Sequence, residues 1–169
     1  TNGCALPFPV EMSKLSAEAD IKSAVTLNCA TALAATKFLR DVIQPAAKDI
    51  LGAPVKSIQQ ASGYVCRPRN VTSTLSEHAF GNALDIASFT LASGEVVEVK
   101  PAPPEKHEKF LRRVRDAACG PFKTVLGPGS NADHALHLHF LMLDFALLVQ
   151  QQQILVLLLQ QLLLQQLHL

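Results

Sequence analysis

The chain has no tryptophan, a single tyrosine and a formal net charge of only +1 over 169 residues. The near-neutral charge argues against a nucleic-acid partner, because no broad basic surplus exists to neutralise phosphates. The basic clusters Arg67/Arg69 and Arg112/Arg113/Arg115 are local, and the second falls on an expected helix as a solvated face. No two cysteines are spaced C-x-x-C, so Cys4, Cys29, Cys66 and Cys119 suit disulfides better than a structural zinc site. Of the three pairings, Cys4–Cys29 with Cys66–Cys119 is favoured, against the alternative of four reduced, buried thiols. No apolar run reaches the roughly 18 residues that a membrane-spanning helix needs, because glutamine interrupts each one in the C-terminal part. No signal peptide is visible, although a chain that starts at Thr1 without methionine reads as processed.

What remains fits one domain with a real core. The length is ordinary for a single domain and 49% of residues are hydrophobic. Residues 1–23, with Pro7 and Pro9, read as an extended N-terminal arm laid over a domain of residues 24–145. Within that domain Ala30, Ala34, Phe38 and Val42 recur at helical spacing from about Asn28 to Ile43. Pro45 is expected to kink or end this helix, with a short continuation to Leu51 before Gly52 stops it. Val55–Ala61 reads as a strand, and Arg67–Glu77, which lacks periodicity, as a loop on the rim of a site.

Further on, Ala83–Leu91 and Glu95–Lys100 read as a hairpin about Ser93-Gly94. A proline-rich connector, Pro101–Pro104, leads to a second helix over Glu105–Cys119, which Gly120-Pro121 terminates. Phe122–Leu126 and His137–Leu143 complete the strands. The expected fold class is α+β, a small, mainly antiparallel sheet with two principal helices. Residues 146–169 use almost only Gln, Leu, Ile and Val. This low-complexity tail reads as an amphipathic helix, and any membrane association would run through it.

The chemistry lies in the histidines. Of six, three fall within six residues, at His134, His137 and His139. Upstream, Ser76-Glu77-His78-Ala79-Phe80-Gly81-Asn82-Ala83-Leu84-Asp85 sets a histidine seven positions before an aspartate. On a strand, His137 and His139 point to one face. His134 can curl towards the same spot, and Gly81 supplies the sharp turn or close backbone approach that would bring His78 there. Imidazole and carboxylate are the donors that hold a catalytic zinc ion, which needs three protein ligands and one open position. His107 and His168, isolated from this group, read as structural or surface residues.

These residues resemble the bacterial extensin-like C-terminal domain. The resemblance rests on Ser76-Glu77-His78-x-x-Gly81-x-Ala83-x-Asp85-Ile86, then Gly127-Pro128-Gly129-Ser130 and His134-x-x-His137-x-His139. Ser62-Gly63-Tyr64-Val65-Cys66-Arg67, Ala117-Ala118-Cys119 and Thr124–Gly127 match further blocks, so that it runs from about Cys4 to Phe140. That family is similar in turn to zinc D-alanyl-D-alanine carboxypeptidases and murein endopeptidases, whose fold is shared with the hedgehog signalling domain.

The resemblance implies a metal site of His78, Asp85 and His139 holding Zn2+, and hydrolysis of amides in the peptide crosslinks of peptidoglycan. It also implies an exported, disulfide-bonded bacterial protein, periplasmic or otherwise outside the cytoplasm. His137 is the expected general base, since a neutral imidazole suits proton transfer near pH 7. His134 is expected to stabilise the oxyanion or protonate the leaving amine. Arg67, with Arg69 as the alternative, is expected to bind a substrate carboxylate. Ser76 is expected to position His78 or the substrate, or simply to cap a turn. Relatives typically read His-Ala-Asp-His and end His-x-Asp, where this chain has Leu136 and Leu141. The alternative function is a non-catalytic structural or binding subunit of a cell-envelope assembly, with an envelope protein as partner instead of a peptidoglycan peptide.

Overall fold

Asparagine, a preferred cap, stands where the first helix begins. In the computed structural model, which describes residues 3–70 and 72–142, the Asn28 side chain accepts the Thr31 N–H and opens α1, Cys29–Phe38. Pro45 does not end the helical path. The frame instead widens to π-helical turns over Leu39–Ile43 and Ala47–Leu51, on either side of a short turn α2, Gln44–Ala46. The Gln44 N–H donates five residues back, to Leu39 O, so the ladder has already slipped before it reaches the ring that lacks a donor. Gly52 then closes the path in the left-handed conformation expected of it, with φ of 80°.

The sheet has seven strands: β1 Pro9–Ser16, β2 Ala19–Asn28, β3 Val55–Ser62, β4 Ala83–Leu91, β5 Val96–Glu98, β6 Thr124–Leu126 and β7 Leu138–Leu141. Their order is β1-β2-β3-β4-β7-β6, with β5 also on β4. The α+β class stands, but the sheet is mixed, because β2 and β3 run parallel while the remaining pairs are antiparallel. The parallel pair is a consequence of the crossover through the helical segment 29–51.

The segment expected as an arm is a hairpin instead. β1 and the start of β2 join the sheet, and Leu15, Ala19 and Ile21 are buried. Their alternation with polar neighbours is the strand period, which the two prolines obscure. The second principal helix, α3, spans Glu105–Ala117 and buries Phe110, Leu111 and Val114. The tail read as an amphipathic helix lies outside the described residues. Among those residues no helix is long and apolar enough to cross a membrane.

Strand alternation separates core from site. On β4, Leu84 and Ile86 face the helices, and their partners across β7 are Phe140 and Leu138. Phe140 packs against Phe38 and Phe122, with ring centroids 5.5 and 5.1 Å apart. Asp85 and His139, the residues between them in the two strands, lie opposite one another and point to the other face.

The favoured disulfide pairing is overturned. Cys4 bonds Cys66, with Cα atoms 5.7 Å apart, while Cys29 and Cys119 are free and exposed. The N-terminal segment runs past the helix start, where Pro9 pairs with Asn28, and reaches on to the residues after β3, where Cys4 meets Cys66. There Ala5 N–H donates to Ala79 O at 3.3 Å, so the bond braces the turn that carries His78. A disulfide of this kind persists in oxidising compartments.

Candidate metal and catalytic centre

Four elements converge on one cleft of about 530 Å3 on the sheet face away from the helices. His78 comes from a 3-10 turn, Glu77–Phe80, which Ser76 caps by accepting the His78 N–H. Gly81 follows at φ of 66°. A Cβ there would stand 2.6 Å from both Asn28 N and Leu6 Cδ1, so the position requires glycine both for its backbone and for its close approach. Asn28 adds hydrogen bonds from its side chain to Phe80 O and Asn82 Oδ1. The helix cap thus also holds the histidine turn.

Asp85 is the hub. His139 Nδ1 lies 2.7 Å from Asp85 Oδ1, and His78 Nε2 lies 3.2 Å from Asp85 Oδ2. His137 Nε2 is 3.6 Å from the same Oδ2. His78 and Asp85 are 2% and 4% exposed, so the carboxylate sits among imidazoles with little water to screen it. Burial alone would push its pKa up. Hydrogen bonds from His139 and His78, with their charge, override that and hold it well below the usual carboxylate range. For His134 the balance runs the other way, since burial and the neighbouring His139 and His137 push its pKa down.

One atom each from His78, Asp85 and His139 lies within 4.8 Å of the others, a separation suited to binding one ion. A tetrahedral ion at roughly 2.0–2.2 Å from each ligand would set them ~3.4 Å apart, so the donors fit a zinc ion after small movements. The support behind them fits as well. His78 Nδ1 is 2.7 Å from the Gly63 carbonyl, which can only accept, so Nδ1 carries a hydrogen. Nε2, which donates to Asp85 in the metal-free chain, is the nitrogen that would give up its proton to an ion. Ligand histidines are commonly held this way.

All the residues singled out for the site line this cleft: Arg67, Ser76, His78, Asp85, His134, His137 and His139. His137 sits just before β7 and His134 ends a 3-10 turn, Ala132–His134, yet their rings are 5.1 Å apart. Arg67 donates to its neighbour Pro68 O, and the alternative Arg69 pairs with Glu77 at 3.7 Å; both are at the rim. His107 is elsewhere, paired with Glu95, and His168 lies outside the described residues.

Four features escape the sequence reading, one of which carries a local signal. The Gly63 carbonyl is backbone and has no residue signature. Asn70 donates to Asp133 Oδ2 at 2.9 Å, joining the Arg67–Glu77 loop to the His134 turn, a pairing across 63 positions. Asn131, by contrast, stands three residues before His134 as the cap of its turn, and cap preference could have found it. Arg115, expected on a solvated face, reaches Pro128 O at 3.0 Å and Ser130 Oγ at 2.7 Å, holding the loop that leads to Asn131.

The class this arrangement defines is a mixed-sheet α+β domain with a buried His-Asp-His cluster under an open cleft. Residues 1–148 match the family described as Extensin-like protein C-terminus, and the chain belongs to that family. No curated protein and no solved structure matches it.

Proposed function

We propose that the chain is a zinc-dependent amide hydrolase acting on the peptide crosslinks of peptidoglycan, as a carboxypeptidase or endopeptidase. The observation that carries this reading is the meeting of His78 Nε2, an Asp85 oxygen and His139 Nδ1 at the floor of an open cleft. Two more imidazoles stand beside them, which a purely structural metal site would not need.

His78, Asp85 and His139 would hold the ion. Bound zinc supplies Lewis acidity, which makes water acidic near neutral pH and polarises a scissile carbonyl. The chain's own residues do the rest. His137 and His134 are the groups for proton transfer, within one ring of the metal-binding set. Arg67 and Arg69 offer a guanidinium to a peptide carboxylate at the cleft rim. Water adds to the carbonyl carbon, its proton passes to an imidazole, the C–N bond breaks, and the amine leaves with a proton. The Cys4–Cys66 bond supports a periplasmic or otherwise exported location.

A second reading is a non-catalytic envelope subunit with an envelope protein as partner. It is favoured by Leu136, which is 65% exposed, and by Leu141, which puts an apolar group in the cleft where the peptidase pattern has an acid.

The test is digestion of purified peptidoglycan by the full chain, with product identification. Cleavage should vanish with chelator and return with zinc, and His137→Ala and His134→Ala should each lower kcat by about 10²–10⁴. Cleavage that survives complete zinc removal would sink the metal reading. A zinc-replete chain with no cleavage would favour the envelope subunit.

A further inference from the structure

The turn before β7 decides which atom of His134 faces the cleft. Asn131 Oδ1 accepts the backbone N–H of His134 at 3.1 Å, and lies 2.6 Å from Nδ1 of the same ring. A backbone N–H can only donate, so the amide atom facing it is the oxygen and not the NH2 group. That oxygen can only accept. The ring nitrogen beside it must therefore carry the hydrogen.

We propose that Asn131 is a positioning residue that fixes neutral His134 as its Nδ1–H tautomer, presenting the Nε2 lone pair to the cleft and making His134 the first acceptor of the proton released when water adds to the substrate amide. The tautomer follows from the turn itself; the catalytic role rests on the hydrolase reading above. Among the described residues Nε2 has no hydrogen-bond partner, and the ring lines the cleft 5.2 Å from that of His139.

The acceptor role expected of His137 thereby falls to His134. As the water oxygen bonds the carbonyl carbon, its O–H bond breaks and the proton goes to Nε2. When the C–N bond breaks, the same proton passes from Nε2 to the leaving nitrogen. Nδ1–H stays on Asn131 throughout, so the ring need not turn over between the two transfers. Arg115 supports this from α3, through Ser130 and Pro128 in the preceding residues.

The experiment is a two-bond 15N–1H correlation spectrum of the histidines in the full chain, zinc-loaded and chelated, with kinetics alongside. Wild type should show His134 as Nδ1–H. Asn131→Ser retains an oxygen that caps the turn but withdraws it from the ring. It should shift His134 towards Nε2–H and lower kcat about 10- to 100-fold with KM little changed. Asn131→Asp keeps the acceptor and should restore both readouts.

Nε2–H in the wild type, or an unchanged tautomer in Asn131→Ser, overturns the proposal. If the serine variant does not fold, the wild-type and aspartate spectra decide it. A wild type with the expected tautomer but no amide cleavage overturns the hydrolase reading instead, and with it His134's part in the proton transfer, while Asn131 keeps its hold on the ring.

Discussion

At the scale of single residues the centre is a buried carboxylate held by imidazoles. Asp85 has a folded pKa depressed below its ordinary 3.8. Linkage then gives its sign: the stabilisation is fully present above about pH 4 and is lost as the pH falls through the folded value. In metal-free protein, Asp85→Asn should cost about 2 kcal/mol at neutral pH, from the loss of charge-assisted hydrogen bonds. Thermal melts of chelated samples from pH 7 to pH 2 check this, with the two curves expected to converge in acid. Parallel curves would show that Asp85 is not the titrating hub. His134 has the same sign by a different cause and at a higher pH. Burial and its imidazole neighbours lower its pKa, so folding resists its protonation and stability is lost as the pH falls below the ordinary value, 6.5.

The meeting of His78, Asp85 and His139 was legible because each is an unusual residue at a telling spacing, His78 seven before Asp85 and His139 at the end of a cluster. The groups that orient the site's imidazoles were less so. The Gly63 carbonyl behind His78 belongs to the chain's most uniform part, and Asn131 beside His134 carries only the signal of a helix cap.

At the scale of elements, the histidine turn is fixed by close approach more than by propensity. Gly81 sits where Leu27, Asn28 and Leu6 leave no room for a methyl group. Gly81→Ala should destabilise the domain by about 1–3 kcal/mol, from backbone strain and overpacking together. It should also weaken zinc binding, because His78 moves with the turn. Denaturant unfolding with parallel zinc titration checks both effects, and a fully stable Ala variant would contradict the observed packing.

Helical period and strand alternation marked most elements correctly, as at β4 and α3. They misread residues 1–23 as an arm, because a polar, proline-bearing edge strand resembles a loop until its partner is known. Pro45 reads in the sequence as a kink or end with a short continuation to Leu51, and the π turns carry the path past it to Gly52, with Gln44 stitched to both N–H and C=O of Val55 at 2.9 and 2.8 Å.

At the scale of the whole molecule, one covalent link joins the N-terminus to the loop behind the site. Cys4 and Cys66 are 62 positions apart, and closing a loop of that size stabilises the fold by about 4 kcal/mol in the chain-entropy account. Cys66→Ser should lower stability by roughly 2–4 kcal/mol, while Cys29→Ser and Cys119→Ser should change it little. Non-reducing peptide mapping and melting temperatures check this together. A native Cys66–Cys119 bond would refute the connectivity.

By itself the sequence determined the α+β class, most element positions, the near-neutral net charge and the identities of the His and Asp residues that gather in the cleft. These follow from local rules, in which a residue's side chain and its near neighbours suffice. Only the tertiary structure decided that β2 and β3 run parallel, which cysteines meet, and which atom of each histidine faces the cleft. Those depend on which distant segments pack together, and pairings such as Asp85 with His139, or His78 with Gly63, are set by sheet register and turn geometry that no local pattern encodes.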